Sequence, residues 1–519
     1  MNLTIQYTEI NELPKLAWLA SFDETNGNIK VYHGSAVECR YNWMVEGVWD
    51  EEFNEGNFHL CENFFGSGVR IENDSLFFVS STALDDRLLY CFHQKKMIVS
   101  NSLVFLLGWT GAQLDPYHHY RECWSIEKGI KNYNPRFHIL HPEIECFYQA
   151  YHTNIVWKDS YIRTEMRSTL RKISSFEEYH SILRGILKRI MDNIKSPLRH
   201  ISLQSFTTLS SGYDSTTVAS LVKDIGVTTC FTSKYSSSNI PEWISKTASI
   251  DTGSKTAEKL NLQTIYLEKQ SKISEDELYF LAPAWDQFCI IYHSMASYIE
   301  KHCDAAVVFF GHHGDVLWDV NVKRDLINDC IMPLDLGGIS FSEIRLKSGI
   351  IQVSVPYILA RNFEAIYKIS QSQEMEPWRL NNSYDRPISR RIAEEAGIPR
   401  DYFGQRNKAV TQYYYYPKNH TLRKDFFHFF EARYGRKKYF IYVRTFFHWM
   451  YYLMSKSVQY VRYFRNKDAM KSGMRVSVVG TKTNLFWKGI NLYRDMFIWA
   501  ANKLGRKIAT ILSVHKLKL

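Results

Sequence analysis

Positions 206–217 read Phe-Thr-Thr-Leu-Ser-Ser-Gly-Tyr-Asp-Ser-Thr-Thr, residue types that suit an anion-binding turn. Thr207, Thr208 and Leu209 are β-prone. From Thr216 the apolar spacing turns helical through Val218, Leu221, Val222 and Ile225, with Gly226 placed as a C-terminal cap. The order is strand, tight turn, helix. Ser210, Ser211 and Gly212 form a turn that lets backbone N–H groups converge at the positive end of a helix dipole, where an anion is held. The hydroxyls of Ser210, Ser215 and Thr216 add donors. Asp214 would repel a bound phosphate unless a cation lay between them. The chemistry these residues suggest is therefore phosphate with a divalent metal, most simply ATP with Mg2+. An ordinary strand–helix turn with a serine cap is the plain alternative.

A second constellation follows the apolar run 305–310, which breaks into Gly311, His312, His313, Gly314 and Asp315. Asp214 and Asp315 at neighbouring strand ends would share magnesium bridging the phosphates, with Gly311 beside them. The plain alternative is that Asp315 caps the next helix.

These residues need a scaffold, and the surrounding chain supplies the signals for one. Strand-like runs at 227–232, 264–267 and 305–310 alternate with helical patterns at 252–260 and 287–301. That alternation predicts a doubly wound parallel sheet covered by helices, whose ligands bind beyond the carboxyl ends of the strands. Ser233, just after the second strand, is placed by topology near an adenine. A capping box at Ser175 and Glu178 opens a helix with an apolar stripe from Ile182 to Ile194, expected to pack on this sheet. Residues 1–115 read as β-rich, with strands at 30–33, 68–71 and 75–79 between Gly, Asn and Asp turns. The stretch 116–174 reads as a linker region. It contains His118 and His119, but adjacent histidines on a helix or strand do not face one site, so a surface or packing role is expected.

The 210–215 stretch resembles the S-G-G-x-D-S loop of the ATP pyrophosphatases, as found in asparagine synthetases, β-lactam synthetases and lasso-peptide cyclases. Ser211 stands where that family has glycine. The 311–319 stretch is similar to the family's S-G-E-G-A-D-E-L-F, with Asp315 on the metal-binding aspartate. There His312 and His313 replace glutamate and glycine, and Val316 removes an acidic residue. Since the family's glutamate places or deprotonates the amine, the resemblance makes His312, neutral near pH 7, a candidate general base, with a structural role as its alternative. Residues 81–102 are weakly similar to the later part of the glutaminase domain, and 353–357 to V-P-F-L-D. The segment 404–409 resembles R-x-K, whose lysine, Lys408 here, would neutralise departing pyrophosphate. The resemblance covers about 60–410. It implies a degenerate Ntn-type sandwich over 1–115, an ATP-pyrophosphatase domain over 175–420, and a 421–519 extension. It also implies a C–N ligase that adenylates a small-molecule or peptide carboxylate for attack by ammonia or an amine. Asn2 stands where relatives carry the cysteine nucleophile, so no glutaminase activity is expected.

Composition sets the outer bounds. At 519 residues, 45% hydrophobic and 23% charged, the chain suits two to four folded domains. Nine singly scattered cysteines fit a reducing compartment, and neither a signal peptide nor an 18-residue apolar run is evident, so a cytoplasmic location is expected. The net charge of +10 divides unevenly, because from Thr421 onward 21 Lys/Arg face 4 Asp/Glu. This basic, aromatic extension is read first as a helical subdomain covering the ATP-binding domain, with contact to the inner membrane surface and its acidic headgroups as the other reading; nucleic acid is not expected as a partner.

Overall fold

Strand β2 (Trp18–Asp23) shows how the N-terminal half is layered: Trp18, Ala20 and Phe22 enter one apolar core while Leu19 enters another. Period-two alternation with both faces buried marks a strand inside a middle layer. The same division holds for Met97 and Val99 against Ile98 on β9 (Lys96–Ser100). The computed structural model describes residues 3–167, 170–233, 252–267, 273–282, 290–334, 336, 338–404, 415–447, 450 and 490–515.

The other strands of this half are β1 (Thr4–Glu9), β3 (Asn28–His33), β4 (Glu38–Cys39), β5 (Trp43–Trp49), β6 (Phe64–Glu72), β7 (Ser75–Val79), β8 (Leu88–His93), β10 (Arg136–His138), β11 (Cys146–Ala150), β12 (Thr153–Lys158) and β13 (Tyr161–Met166). They form one sheet in the order β1-β3-β2-β9-β8-β11-β10 and a second in the order β13-β12-β7-β6-β5-β4. Trp18, Phe22, Val69, Phe78 and Trp157 fill the space between the sheets. The expected linker over 116–174 therefore needs correction. Four of its segments are strands of these sheets, so the boundary falls after Met166 rather than at 115. The reason is non-local: β11 is held by β8 and β12 by β7, far away along the chain.

The second half is built on five parallel strands: β14 (Leu203–Thr208), β15 (Thr229–Thr232), β16 (Gln263–Tyr266), β17 (Ala305–Phe310) and β18 (Ile350–Ser354). Their spatial order is β16-β15-β14-β17-β18, so the winding reverses between β14 and β17. All six residues of β17 are buried, as a central strand covered on both faces requires. The chain is thus mixed α/β, with a β-rich N-terminal region, a parallel sheet and a C-terminal helix. Helix α1 (Leu103–Thr110) follows the first sheet, and α2 (Phe176–Ile194) opens the second half with the expected stripe of Leu183, Ile186, Leu187, Ile190 and Met191 buried. The Ser175 hydroxyl accepts from the Glu178 N–H at 3.2 Å, while Glu178 reaches back to the Ser174 N–H instead of closing the box on Ser175.

Buried charge joins the two halves. Arg345, 1% exposed, donates to Glu46 at 3.0 Å and to Asp86 at 2.6 Å, both on the sandwich side. Two residues earlier Glu343 accepts from the Leu103 N–H at 2.7 Å and the Ser102 hydroxyl at 2.8 Å, capping α1 from the other domain.

The end of the C-terminal extension belongs to the core. The last helix, Leu492–Val514, crosses α1 so closely that a Cβ on Gly108 would lie 2.8 Å from the Gly505 carbonyl and 2.8 Å from Ile508. We expect Gly108→Val to force the helices apart and cost about 1–3 kcal/mol, read as a lower denaturant midpoint at unchanged slope. Asp495 in that helix is fully buried and paired with Arg433 at 3.0 Å, tying it to the helix His420–Tyr434. No helix among the described residues is long and apolar enough to cross a membrane.

Candidate active site

β14 ends at Thr208, and α3 (Tyr213–Lys223) begins four residues after Leu209, with Gly212 as its N-cap. The intervening turn is cross-braced by its own hydroxyls. The Ser210 N–H donates to Ser215 Oγ at 3.0 Å, the two serine hydroxyls lie 2.9 Å apart, and the Gly212 N–H donates to Ser210 Oγ at 3.1 Å. Thr216 Oγ1 turns back to the Ser210 carbonyl at 3.4 Å. These hydroxyls therefore shape the turn, and α3 points its N-terminal end out of it. Ser211 is absent from the residues with positive φ, so its side chain imposes no left-handed strain here.

The second loop leaves β17, the neighbour of β14, and packs against this turn. A Cβ on Gly311 would lie 2.7 Å from Asp214 Cβ, and one on Gly314 would lie 2.6 Å from Asp214 Oδ1. Glycine at both positions is what lets the Asp214 carboxylate nest against the loop that carries Asp315. A third acid joins them: burial, together with the negative charge of Asp315 and Asp319, raises the Asp214 carboxyl, opposed by the Arg386 guanidinium. Burial likewise raises Asp319, opposed by an N–H bond from Asn321 and by Arg386. Arg386, 4% exposed, pairs with Asp214 through Nη1 and lies 3.7 Å from Asp319 through Nε. Asp315 has no ion pair among the described residues, which leaves it the most available carboxylate. Carboxylates offer oxygen, the donor type that magnesium takes, but these three do not bring their oxygens within 4.8 Å of one another.

Sequence reasoning missed Asp319 and Arg386. Asp319 lies just past the short helix Gly314–Leu317, where no periodicity marks it, and it meets the site through Arg386. Arg386 had no local signal, because it stands just before the helix Pro387–Glu395 and reaches the site only through folding.

His312 is placed beside the loop but faces β18 and the sandwich. Its Nε2 is 2.7 Å from the Tyr292 hydroxyl, its Nδ1 3.1 Å from Gln352 and 3.9 Å from Asp85, and its ring stacks on Phe310. Asp85 also accepts from the Ser354 hydroxyl, so a sandwich residue helps to fix this histidine. His313 has φ 71°, a left-handed conformation that favours glycine, and its buried ring lies parallel to Tyr357 at 4.8 Å. Burial pulls His313 down to about 4 and does the same to His152 in the sandwich. Both fall below the ordinary 6.5, so the unfolded chain binds protons that the folded chain refuses. Their stabilisation is complete above pH 6.5 and is lost as pH falls towards 4, about 3 kcal/mol for each. Chemical denaturation at pH 7.5 and pH 5 should show this loss, and His152→Gln should flatten it.

Gly311, Ser210, Ser211, Gly212, Asp214, Ser215, Thr216 and Asp315 thus share one corner of the sheet. Ser233 lies one residue beyond β15, on the adjacent strand end. Lys408 lies outside the described residues, as do 405–414 in general. No protein-family model matches the chain, and no curated protein matches it.

Proposed function

We propose that this chain is an ATP-dependent carbon–nitrogen ligase of the asparagine synthetase type, its second half an ATP-pyrophosphatase domain and its first a degenerate Ntn-type sandwich. The observation that carries the reading is the meeting of Asp214 with the Asp315 loop at the point where the strand order reverses, beside the N-terminus of α3. In the proposed reaction a substrate carboxylate attacks the α-phosphorus of ATP, pyrophosphate leaves, and ammonia or an amine displaces AMP from the acyl-adenylate. Bound magnesium would neutralise phosphate charge between the carboxylates. The α3 N-terminus and the 210–216 turn orient the phosphates, and Lys408 offsets the charge of the departing pyrophosphate. Tyr292 and Gln352 hold the His312 ring at the edge of the site, where its general-base role requires one nitrogen to be released to the amine. Burial raises the thiols of Cys39 and Cys91 to about 12, so neither is an activated sulfur nucleophile.

The test is substrate-dependent ATP–pyrophosphate exchange across carboxylate pools, with Asp214→Ala as control. Exchange that disappears in the variant supports the ligase. The pairing of Arg386 with Asp214 favours a second reading, an inactive scaffold at a membrane surface, and exchange absent with every carboxylate would select it. For either reading the C-terminal extension supplies the membrane contact: Tyr439, Phe446 and Phe447 are more than half exposed close to Arg436, Lys437 and Lys438. Co-sedimentation with anionic vesicles, lost on deletion from Thr421, tests that contact.

A further inference from the structure

A cluster of imidazole and carboxylate groups stands on the sandwich, in a segment for which the ligase reading has no use. His118 and His119 lie on neither a helix nor a strand, but in the turn before the 3-10 helix Arg121–Lys128. The rule that adjacent side chains diverge on regular elements does not govern such a turn. Tyr120 has φ 52°, and its fully buried hydroxyl accepts from the Asp115 N–H at 2.6 Å, so the chain reverses about a fixed anchor. That reversal brings Glu122 back under His118, whose Nε2 lies 3.0 and 3.1 Å from the two carboxylate oxygens. One ligand atom from each of His118, His119 and Glu122 falls within 4.8 Å of the others.

The charge at Glu122 points to a cation. Its side chain is 6% exposed, and among the described residues it has no lysine or arginine partner. Its bonds come from the His118 ring and from the His138 backbone N–H at 3.2 Å. A buried carboxylate needs a compensating charge. The His138 ring stacks on His118 at 4.3 Å, and its Nε2 is 3.3 Å from Asp115, so the back of the cluster is held in place.

We propose that His118, His119 and Glu122 form a zinc-class metal site, a function that no other feature of the chain assigns to them. The two imidazoles are borderline donors that favour Zn2+ over Mg2+ or Ca2+, and one carboxylate beside them is compatible with zinc. Tetrahedral bonds of about 2.0–2.1 Å separate ligand atoms by about 3.3 Å. The His118–Glu122 separation already approaches that spacing, and the exposed His119 ring closes the remaining ångström or so by a side-chain rotation. Water takes the fourth position. The ion would pin the turn against β10, next to the final helix, where Tyr120 meets Phe497 edge-on at 5.5 Å and Leu114 exchanges hydrogen bonds with Asn502. Its role is then to fix the turn on which the C-terminal helix packs.

Zn2+ titration of the full-length protein by calorimetry, followed by X-ray absorption at the zinc edge, tests this. We expect one ion per chain, a nitrogen/oxygen first shell with imidazole scattering, and about tenfold or greater weakening in His119→Ala. Because His119 is exposed, that variant keeps the fold, and circular dichroism verifies it. His118→Gln should weaken binding likewise. Sulfur in the first shell, undiminished affinity in both variants, or no stoichiometric binding would overturn the proposal.

Discussion

Arg345→Ala is expected to destabilise the protein by about 3–5 kcal/mol, the cost of removing one member of a buried charge network. Glu46 and Asp86 would be left as two buried carboxylates without their guanidinium, which now reaches both at 3.0 and 2.6 Å. Burial, offset by Arg345 and reinforced by Glu46, already raises Asp86 to about 6. Removal of the arginine pushes it further up. A carboxyl raised in the folded state stabilises below its unfolded value and loses that contribution as pH rises through the folded value. Measured against the parent at each pH, the variant's deficit should therefore be greatest at pH 8 and shrink towards pH 5, as read by the difference in denaturant midpoints. Adding Glu46→Gln and Asp86→Asn to Arg345→Met should restore much of the loss, since apolar or neutral replacement of a whole buried network is tolerated. Because the network spans the two halves, the expected unfolding is a single transition that separates into two in Arg345→Ala.

Asp315→Asn carries the largest expected effect on activity. Asp214 is already compensated by Arg386, whereas Asp315 has no ion pair among the described residues, so the latter is the carboxylate on which the metal most depends. Losing one electrostatic contact at a reacting phosphate typically costs about 10²–10³-fold in rate. The exchange reaction should fall by that factor while the denaturation midpoint at pH 7.5 stays within about 0.5 kcal/mol, as expected for a side chain without structural partners. An equal loss of stability and activity would instead make Asp315 a structural cap.

Much of the second half was legible because local patterns there coincide with the fold. The apolar run 305–310 is β17 residue for residue, and the stripe expected from Ile182 to Ile194 runs along α2. Asp214 and Asp315 were found because each follows a strand that its own sequence announces. What the sequence hid is set by distant partners. Arg386 is one of many arginines until folding brings it to Asp214. β11 and β12 are short, and they owe their existence to pairing with β8 and β7. The turn that carries His118 and His119 is hidden for a different reason: the left-handed Tyr120 that forms it has no signal of its own in the sequence. The final helix was read as part of a basic tail because its charges dominate composition, yet Met496, Phe497, Ile498 and Leu504 are buried.

Equilibrium binding of ATP to the full-length protein, measured with and without magnesium, bears most directly on the central claim. Binding is expected to require the metal and to be lost in Asp315→Asn with the fold intact. Equal affinity in the absence of magnesium, or in the variant, would contradict it.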